Sequence, residues 1–279
     1  MKYYRPKTTA ELFELLENEQ GSKALLAGGT DLMPRYEQGR PFPDLLIDLK
    51  HLPEMSEIHE EQEEIIIGAL TSVEDLKKNP LIRRYAKALS MAAGEFAAVQ
   101  IRHRATIGGN LMNASPAGDL IPPLNILNAG LMVSSRQSVR EIPIDEFHLG
   151  PGKTALDETE ILTEIRFKKT DLESTFVKLG LRRAMAISVV NLAASYKILD
   201  GKYQALNLAA GAVAPTVVGL EKYAEAVVAD VEAIDTEIAL LENAISPIDD
   251  IRATARYRRK ALKNIARYTL HELLSETDE

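Results

Sequence analysis

The sequence predicts an α+β protein built from three parts. We expect a small β-α-β unit over residues 1–55, a larger α+β unit over residues 56–169, and an antiparallel sheet followed by helices over residues 170–279. Three observations support this division. A helical pattern lies between apolar runs near the N-terminus, the residue pattern changes after residue 169, and helical periodicity dominates from residue 221 onwards.

The first unit alternates strand and helix signals. Residues 3–5 indicate a short edge strand that ends at a proline. Thr8 and Glu11 form a capping-box pattern, which predicts the start of a helix. Residues 23–27 and 44–49 are apolar runs of strand length, and we expect both to be buried strands.

The second unit mixes both element types. In chain order, we predict a strand over 64–70, a helix over 80–99, a hairpin over 131–135 and 140–144, a loop over 148–154 and a strand over 161–167. The loop ends like a phosphate-binding motif, but Phe147 stands where that motif needs its first glycine. On pattern alone, Phe96 is a core aromatic of the long helix.

The third unit begins with β-rich runs over residues 174–180, 186–199 and 205–212, with a hairpin signal at Gly201. Helical segments are predicted over residues 221–228, 231–245 and 250–274. In the last segment we expect an apolar face that includes Ile251. Its basic residues predict either a solvated face or a contact with an acidic partner; they are Arg252, Arg256, Arg258, Arg259, Lys260, Lys263 and Arg267.

Composition excludes several classes of function. The 279 residues contain no cysteine, so the chain has neither disulfides nor cysteine-bound iron–sulfur clusters. Its five histidines are scattered, which argues against a metal site, and its net charge of −8 argues against nucleic-acid binding. Neither a transmembrane run nor a signal peptide is visible, so we expect no membrane contact and a cytoplasmic location.

Two glycine pairs carry the functional signal. Gly28 and Gly29 follow an apolar run and precede Thr30, while Gly108 and Gly109 follow a short β-type run. Backbone N–H groups around glycines can surround a phosphate, and nearby hydroxyl and amide groups can add hydrogen bonds. A later carboxylate, Asp119, could bind a ribose diol. The pattern therefore predicts a nucleotide cofactor, although glycine pairs also form ordinary turns and Asp119 could cap a helix.

The motifs AGGTDL at residues 27–32 and TIGGNLMNASPAGDLIPP at residues 106–123 resemble the FAD-binding (medium) subunit of the molybdenum hydroxylases. This family includes xanthine dehydrogenase and carbon monoxide dehydrogenase relatives, and the resemblance covers nearly the whole chain. It implies a two-part FAD-binding domain (the small β-α-β unit plus the larger α+β unit) followed by the C-terminal sheet and helices.

The resemblance also implies FAD as cofactor and an electron-transfer role in a complex of the xanthine dehydrogenase type. The implied partners are a large subunit with the molybdenum cofactor and a small iron–sulfur subunit, and the implied electron acceptor is NAD, or another acceptor as in some relatives. Catalysis would need no protein nucleophile, because the flavin ring performs the redox chemistry.

Cofactor contacts carry over residue by residue. Phe96 would lie against adenine, Asp119 would bind ribose, and residues 182–187 would approach the isoalloxazine ring. Lys178 would lie near the cofactor, although the pattern equally favours a surface lysine on a strand. The complete set of expected contacts is Leu25, Leu26, Ala27, Gly28, Gly29, Thr30, Asp31, Leu32, Phe96, Thr106, Ile107, Gly108, Gly109, Asn110, Asp119, Ile161, Leu162 and Lys178.

Two other functions fit the residues. A self-contained FAD-dependent oxidoreductase of the same cofactor fold would need a substrate pocket with a convergent acid–base group. The other alternative is a non-enzymatic nucleotide-binding or scaffolding protein, and a scaffold would have no need for two phosphate-type segments together with the ribose-type Asp119. Neither alternative accounts for the residues as completely as the electron-transfer subunit does.

Overall fold

The N-terminal part of the chain forms a parallel sheet in the order β1-β3-β2. The computed structural model describes residues 1–276. The elements of this part are β1 (Lys2–Tyr4), α1 (Thr9–Asn18), β2 (Lys23–Leu26), α2 (Leu32–Glu37) and β3 (Leu45–Asp48). Strand β3 is buried at all four positions because it lies between its two neighbours, and its Ile47 belongs to the same apolar core as Leu12 of α1, whereas β2 is only partly buried.

The start of α1 shows how sequence sets an element boundary. The Thr8 hydroxyl accepts a hydrogen bond from the Glu11 N–H at 3.2 Å, as the capping pattern predicts. The Glu11 carboxylate, however, accepts from the N–H of Lys7 at 2.7 Å, one residue before the cap. The helix start is thus fixed from both directions within five residues of chain.

The central part of the chain is organised around an antiparallel sheet in the order β4-β5-β10-β6-β7, with the long strand β10 in the middle. Its elements, after a 3-10 turn at Pro53–Ser56, are β4 (Ile58–Glu61), β5 (Glu64–Gly68), α3 (Val73–Lys78), α4 (Pro80–Tyr85), α5 (Lys87–Glu95), α6 (Val99–Arg102), α7 (Ile107–Asn113), α8 (Ile121–Ile126), β6 (Gly130–Ser134), β7 (Val139–Pro143), α9 (Ile144–Phe147), β8 (His148–Gly150), β9 (Lys153–Thr154) and β10 (Ile161–Lys168).

Three local expectations for this part were wrong. The single helix over residues 80–99 is divided into α4, α5 and α6, with breaks at Ala86 and at Ala97, whose φ of 39° is left-handed. Residues 148–154 form the β8–β9 hairpin instead of a loop. The β-type run before the second glycine pair is not a strand. The Thr106 side chain caps α7, and Gly108 and Gly109 lie in the first turn of that helix.

The C-terminal part contains an antiparallel sheet in the order β11-β12-β13-β14 and the helices that cover it. Its elements are β11 (Glu173–Gly180), β12 (Ser188–Leu199), β13 (Lys202–Gly211), β14 (Val218–Gly219), α10 (Glu221–Ala229), α11 (Ala233–Thr236), α12 (Ile238–Ala244) and α13 (Ala255–Glu276). Asp200 and Gly201 both have positive φ, at 51° and 67°, which is the two-residue hairpin geometry that matches the twist of the strands.

This third sheet is buried on both faces. Phe176 and Ala193 belong to the apolar core that also fills the first two parts, whereas Val190, Leu192 and Ala194 belong to a second core under α10 and α13. Successive residues of a strand point to opposite faces, so β12 contributes to both cores. The C-terminal sheet is therefore the layer that joins the two halves of the molecule.

Two expectations for the last helix were also wrong. Ile251 is fully exposed, because the helix begins only at Ala255. Arg258 is 3% exposed, and its guanidinium donates to the carbonyl oxygens of Val189 at 2.7 Å and Ala212 at 3.0 Å. It also forms an ion pair with Asp250 at 2.7 Å. Arg258 therefore fastens the start of α13 to the sheet instead of facing solvent.

Removing the Arg258 guanidinium should destabilise the C-terminal half. We expect Arg258→Ala to lower the free energy of unfolding by roughly 3 kcal/mol, because two buried carbonyl oxygens lose their donor and Asp250 keeps only Arg252 as an ion-pair partner. Chemical denaturation of the full chain measures this loss. The matched control is Arg256→Ala, an exposed residue of the same helix, which should change stability by less than about 0.5 kcal/mol. Equal effects of both substitutions would contradict the structural role of Arg258.

Candidate functional site

The two glycine segments meet at one cleft. Gly28 packs so closely on the second segment that a Cβ there would lie 1.8 Å from the carbonyl oxygen of Arg104. Residues of both segments line the resulting cleft, which has a volume of about 250 Å³. Glycine at position 28 is therefore required by the contact between the two backbones.

The first segment offers free donors to this cleft. Gly29 has a φ of 72°, a left-handed conformation that glycine adopts without strain. Within residues 1–276, the backbone N–H groups of Gly28, Gly29 and Thr30 find no acceptor in the protein. Three free N–H groups in consecutive residues form a concave donor site of the kind that binds a phosphate or another anion.

The second segment contributes differently from the sequence expectation. The N–H groups of Ile107, Gly108 and Gly109 already donate to Thr71, Ala69 and the Thr106 hydroxyl, respectively. These groups are therefore not available as phosphate donors. Gly109 instead keeps the wall of the cleft free of a side chain, and the buried Asn110 Oδ1 lacks a hydrogen-bond partner among the described residues. Asn110 thus brings an unsatisfied polar group to the same cleft.

The cleft carries one positive and one negative side chain. Among its described lining residues, Arg35 is the only basic one. Its Nε forms an ion pair with Asp31 at 2.8 Å, and its Nη2 donates to Asn113 Oδ1 at 2.7 Å. Arg35 therefore connects the first segment to the end of α7 and places a cation beside the free N–H groups.

An apolar pocket of about 290 Å³ adjoins the cleft. The two cavities share Leu25, Ala27, Gly109 and Met112. Ile161 and Leu162, from the start of β10, line the apolar side together with Leu49, Met55, Leu70 and Leu156. A ligand with a charged part and a flat apolar part would find both environments side by side.

The expected site residues separate into groups. Leu25, Ala27, Gly28, Gly29, Thr30, Asp31, Leu32, Phe96, Thr106, Gly109 and Asn110 line the cleft, and Gly108, Ile161 and Leu162 line the apolar pocket. Leu26 and Ile107 line neither cavity. The Ile107 side chain is fully buried in the core, so its contribution is to packing.

Asp119 and Lys178 lie apart from the cleft, where they pair with each other. Asp119 is 6% exposed, and its carboxylate accepts from Lys178 Nζ at 2.6 Å, Ser188 Oγ at 2.6 Å and Asn191 Nδ2 at 2.9 Å. A carboxylate has about four acceptor positions, so a ribose would have to compete with these donors. The alternative that Lys178 is a surface lysine is wrong, because its side chain is buried in the junction with the third sheet.

Lys178 also lines a third cavity of about 500 Å³, together with Glu95, Arg102 and residues 179–186. Residues 182–186 line this cavity; they belong to the segment 182–187 that the family resemblance implies to approach the isoalloxazine ring. Partial desolvation raises the pKa of Glu95 above its ordinary value. Glu74 does not line the cavity but pairs with Arg102, which does. Hydrogen bonds from Arg102 and Lys78 lower the pKa of Glu74 to about 2.

Sequence reasoning missed Arg35, Met112 and Asn113 as cleft residues and Arg102 as a cavity residue. Met112 and Asn113 follow the second glycine pair on α7, so the helical repeat from Gly109 could have indicated them. Arg35 lies one helical turn after Asp31 of the first segment and could have been found in the same way. The role of Arg102 depends on distant partners and left no local signal.

The described residues contain neither a metal site nor a membrane-spanning helix. Within residues 1–276, no group of histidine, aspartate and glutamate side chains is arranged to hold a metal ion. None of the helices in this range combines the length and apolar character needed to cross a membrane.

Two family models match the chain. The first, described as the FAD-binding domain in molybdopterin dehydrogenase, matches residues 1–168. The second, described as the C-terminal domain of the carbon monoxide dehydrogenase flavoprotein, matches residues 175–273.

Individual relatives agree with these models. The xanthine dehydrogenase FAD-binding subunit of Escherichia coli is 30% identical over 98% of this chain and 96% of its own length. The nicotinate dehydrogenase FAD-subunit of Eubacterium barkeri is 28% identical over 99% of this chain and 97% of its own length.

Among solved structures, a chain of carbon monoxide dehydrogenase from Hydrogenophaga pseudoflava superimposes with a TM-score of 0.90 at 28% identity. The match covers 96% of this chain and 95% of that chain. The same fold therefore extends from the first sheet to the C-terminal helices. The chain belongs to the family of FAD-binding subunits of the molybdopterin dehydrogenases, also called molybdenum hydroxylases, and its cofactor is FAD.

Proposed function

We propose that the chain is the FAD-carrying electron-transfer subunit of a molybdenum hydroxylase of the xanthine dehydrogenase type. Electrons would arrive from iron–sulfur clusters on a partner chain and leave through FAD to NAD or another acceptor. The xanthine type is supported by the similarity to the xanthine dehydrogenase FAD-binding subunit, although relatives acting on nicotinate and carbon monoxide are nearly as similar.

The meeting of the two glycine segments is the observation that carries this proposal. The free N–H groups of Gly28, Gly29 and Thr30 fit the diphosphate of FAD, and Arg35 supplies a compensating charge. Gly109 allows the cofactor to approach α7 because no Cβ projects into the cleft. In this arrangement the chain binds and orients the cofactor, and the flavin supplies the redox chemistry when it is bound.

The remaining contacts follow from the neighbouring cavities. The apolar pocket with Ile161 and Leu162 suits a ring system, and Phe96 supplies an aromatic face on the cleft side. The Asp119 carboxylate can accept hydrogen bonds from both hydroxyls of a ribose diol only if it gives up one of its present bonds from Lys178, Ser188 and Asn191. Lys178 holds Asp119 and borders the cavity of residues 179–186, so we place it close to the flavin end.

Two observations support partner chains: the absence of cysteine from the sequence and the names of the relatives. The sequence contains no cysteine to hold an iron–sulfur cluster, so electrons need a donor on another chain. Relatives are described as FAD-subunits or medium chains, which are terms for components of larger enzymes. We propose a large molybdenum-cofactor subunit and a small iron–sulfur subunit as partners, a cytoplasmic location, and domain boundaries near residues 55 and 169.

The purified full-length chain should be yellow. We expect a flavin absorption spectrum, and heat release should yield FAD and not FMN, because the cleft offers donors for a diphosphate. Absorption spectroscopy and chromatography of the released flavin measure this. A colourless chain that takes up no added FAD would contradict the proposal.

Replacing Gly109 by alanine should separate cofactor binding from folding. A Cβ at this position lies 2.9 Å from the Thr106 hydroxyl and occupies the wall of the cleft. We expect stability to change by less than about 1 kcal/mol, since alanine favours the helix while the cap weakens. FAD affinity should fall at least about tenfold, or 1.4 kcal/mol, in a fluorescence titration. Unchanged affinity would mean that Gly109 serves only the turn.

Electron donors should distinguish a subunit from a self-contained enzyme. Under anaerobic conditions NADH should bleach the bound flavin, because hydride transfer to flavin is reversible and needs only a nicotinamide site beside the ring. Xanthine should not bleach it, since hydroxylation needs the molybdenum centre of another chain. Bleaching by xanthine without partners would contradict the subunit proposal, whereas no reaction with NADH would exclude NAD as the acceptor.

A further inference from the structure

We propose that Arg102 is a positioning residue for FAD. It fixes the turn over residues 94–97, which carries Phe96 into the cleft and separates the cleft from the cavity beside Lys178. This inference rests on the proposed function, because it concerns how the protein shapes the site for the cofactor.

Within residues 1–276, no backbone N–H group donates to the carbonyl oxygens of residues 94–97 at the end of α5. Helix α5 ends at Glu95, and the chain then bends through Phe96 and the left-handed Ala97, whose φ is 39°. The last carbonyl oxygens of a helix find no N–H group within it and need other donors. A left-handed alanine persists only where its surroundings hold it in place.

Arg102 supplies these donors from the following segment. Its Nη1 donates to the carbonyl oxygens of Phe96 at 3.2 Å and Ala97 at 3.3 Å, with a longer contact to Gly94 at 3.5 Å. Its Nε donates to the Glu74 carboxylate at 2.9 Å, and its side chain is only 10% exposed. One guanidinium therefore satisfies the turn and is itself held by a buried carboxylate on α3.

Lys178 secures the same turn from the opposite side. Its Nζ donates to the carbonyl oxygen of Glu95 at 3.3 Å while it is paired with Asp119. All four carbonyl oxygens from Gly94 to Ala97 thus contact one of two buried cations. Cations are also favoured at this location because the C-terminal end of a helix carries a partial negative charge.

Neighbouring residues of this turn face different cavities. Phe96 lines the cleft with the glycine segments, whereas Gly94, Glu95 and Ala97 line the cavity that holds Lys178 and residues 179–186. The turn is thus a shared wall. A shift of the turn would move the Phe96 ring relative to the cleft, so Arg102 controls the shape of the site without lining the cleft itself.

Arg102 also connects this wall to the second glycine segment. It lies at the end of α6, four residues before Thr106, which caps α7. The Arg102 side chain holds the turn while its backbone continues directly into the residues that pack on Gly28. Residues 102–106 therefore fix the position of the turn relative to the second glycine segment.

The experiment compares FAD binding by full-length variants freed of flavin. Arg102→Met should weaken FAD affinity about tenfold or more in a fluorescence titration at a temperature where all variants are folded. The matched control is Arg258→Met, which removes another buried, ion-paired arginine that donates to two carbonyl oxygens but does not line the cavities described above. The control should change affinity less than about twofold. Equal affinity of the Arg102 variant and the wild type would overturn the inference.

A double-substitution cycle tests whether Arg102 acts through Phe96. If it does, Arg102→Met and Phe96→Ala together should weaken FAD binding by much less than the product of their separate effects. A general loss of stability would leave the two effects multiplicative, and that result would overturn the positioning role.

Two further comparisons keep the test decisive. Arg102→Lys keeps the positive charge beside Glu74 but lacks the planar guanidinium that donates to Glu74 and to the turn at the same time. This variant should therefore fold and bind FAD with intermediate affinity. Wild-type-like affinity in this variant would overturn the inference if the methionine variant fails to fold. Failure of the wild-type chain to bind FAD would reject the proposed function itself, whereas binding by the wild type and by Arg102→Met alike would reject only the role of Arg102.

Discussion

The contact between Gly28 and the carbonyl oxygen of Arg104 is the constraint on which the rest of the structure depends. It brings two backbones together without an intervening side chain, and the cleft exists only where they meet. The contact is held because the first sheet and the central sheet share one apolar core, in which Leu12 and Ile47 are buried in the same cluster as Ile65. Core packing thus maintains the cleft in which the backbone N–H groups of Gly28, Gly29 and Thr30 lack protein acceptors among residues 1–276.

Three buried ion pairs organise the remaining junctions in a common way. Arg102 pairs with Glu74, Lys178 with Asp119, and Arg258 with Asp250, and each cation also donates to backbone carbonyl oxygens of another element. Buried pairs contribute little net stability when compared with apolar packing, but an unpaired partner is costly. Their effect here is to determine which elements pack together. Two of the three cations, Arg102 and Lys178, line the same cavity beside the cleft.

This division of roles suits a cofactor carrier. The cleft presents backbone donors, one arginine and one unsatisfied amide, and the adjoining pocket is apolar. Such walls bind and orient a dinucleotide, whereas bond-making chemistry on a substrate would need a convergent acid–base pair. We therefore propose that the electron donors and the substrate chemistry belong to partner chains, while this chain holds and orients FAD.

The sequence by itself determined the α+β class, most strands and the two glycine pairs, because these follow from periodicity and from local backbone requirements. Gly28 and Gly109, which it singled out, line one cleft. Only the tertiary structure decided that the N–H groups of the second pair are already satisfied, that Asp119 is bound to Lys178, and that Arg258 is buried. Most of these outcomes depend on partners far along the chain: Lys178 lies 59 residues from Asp119, and Val189 lies 69 residues from Arg258. No local pattern records which distant donor or acceptor a side chain will meet.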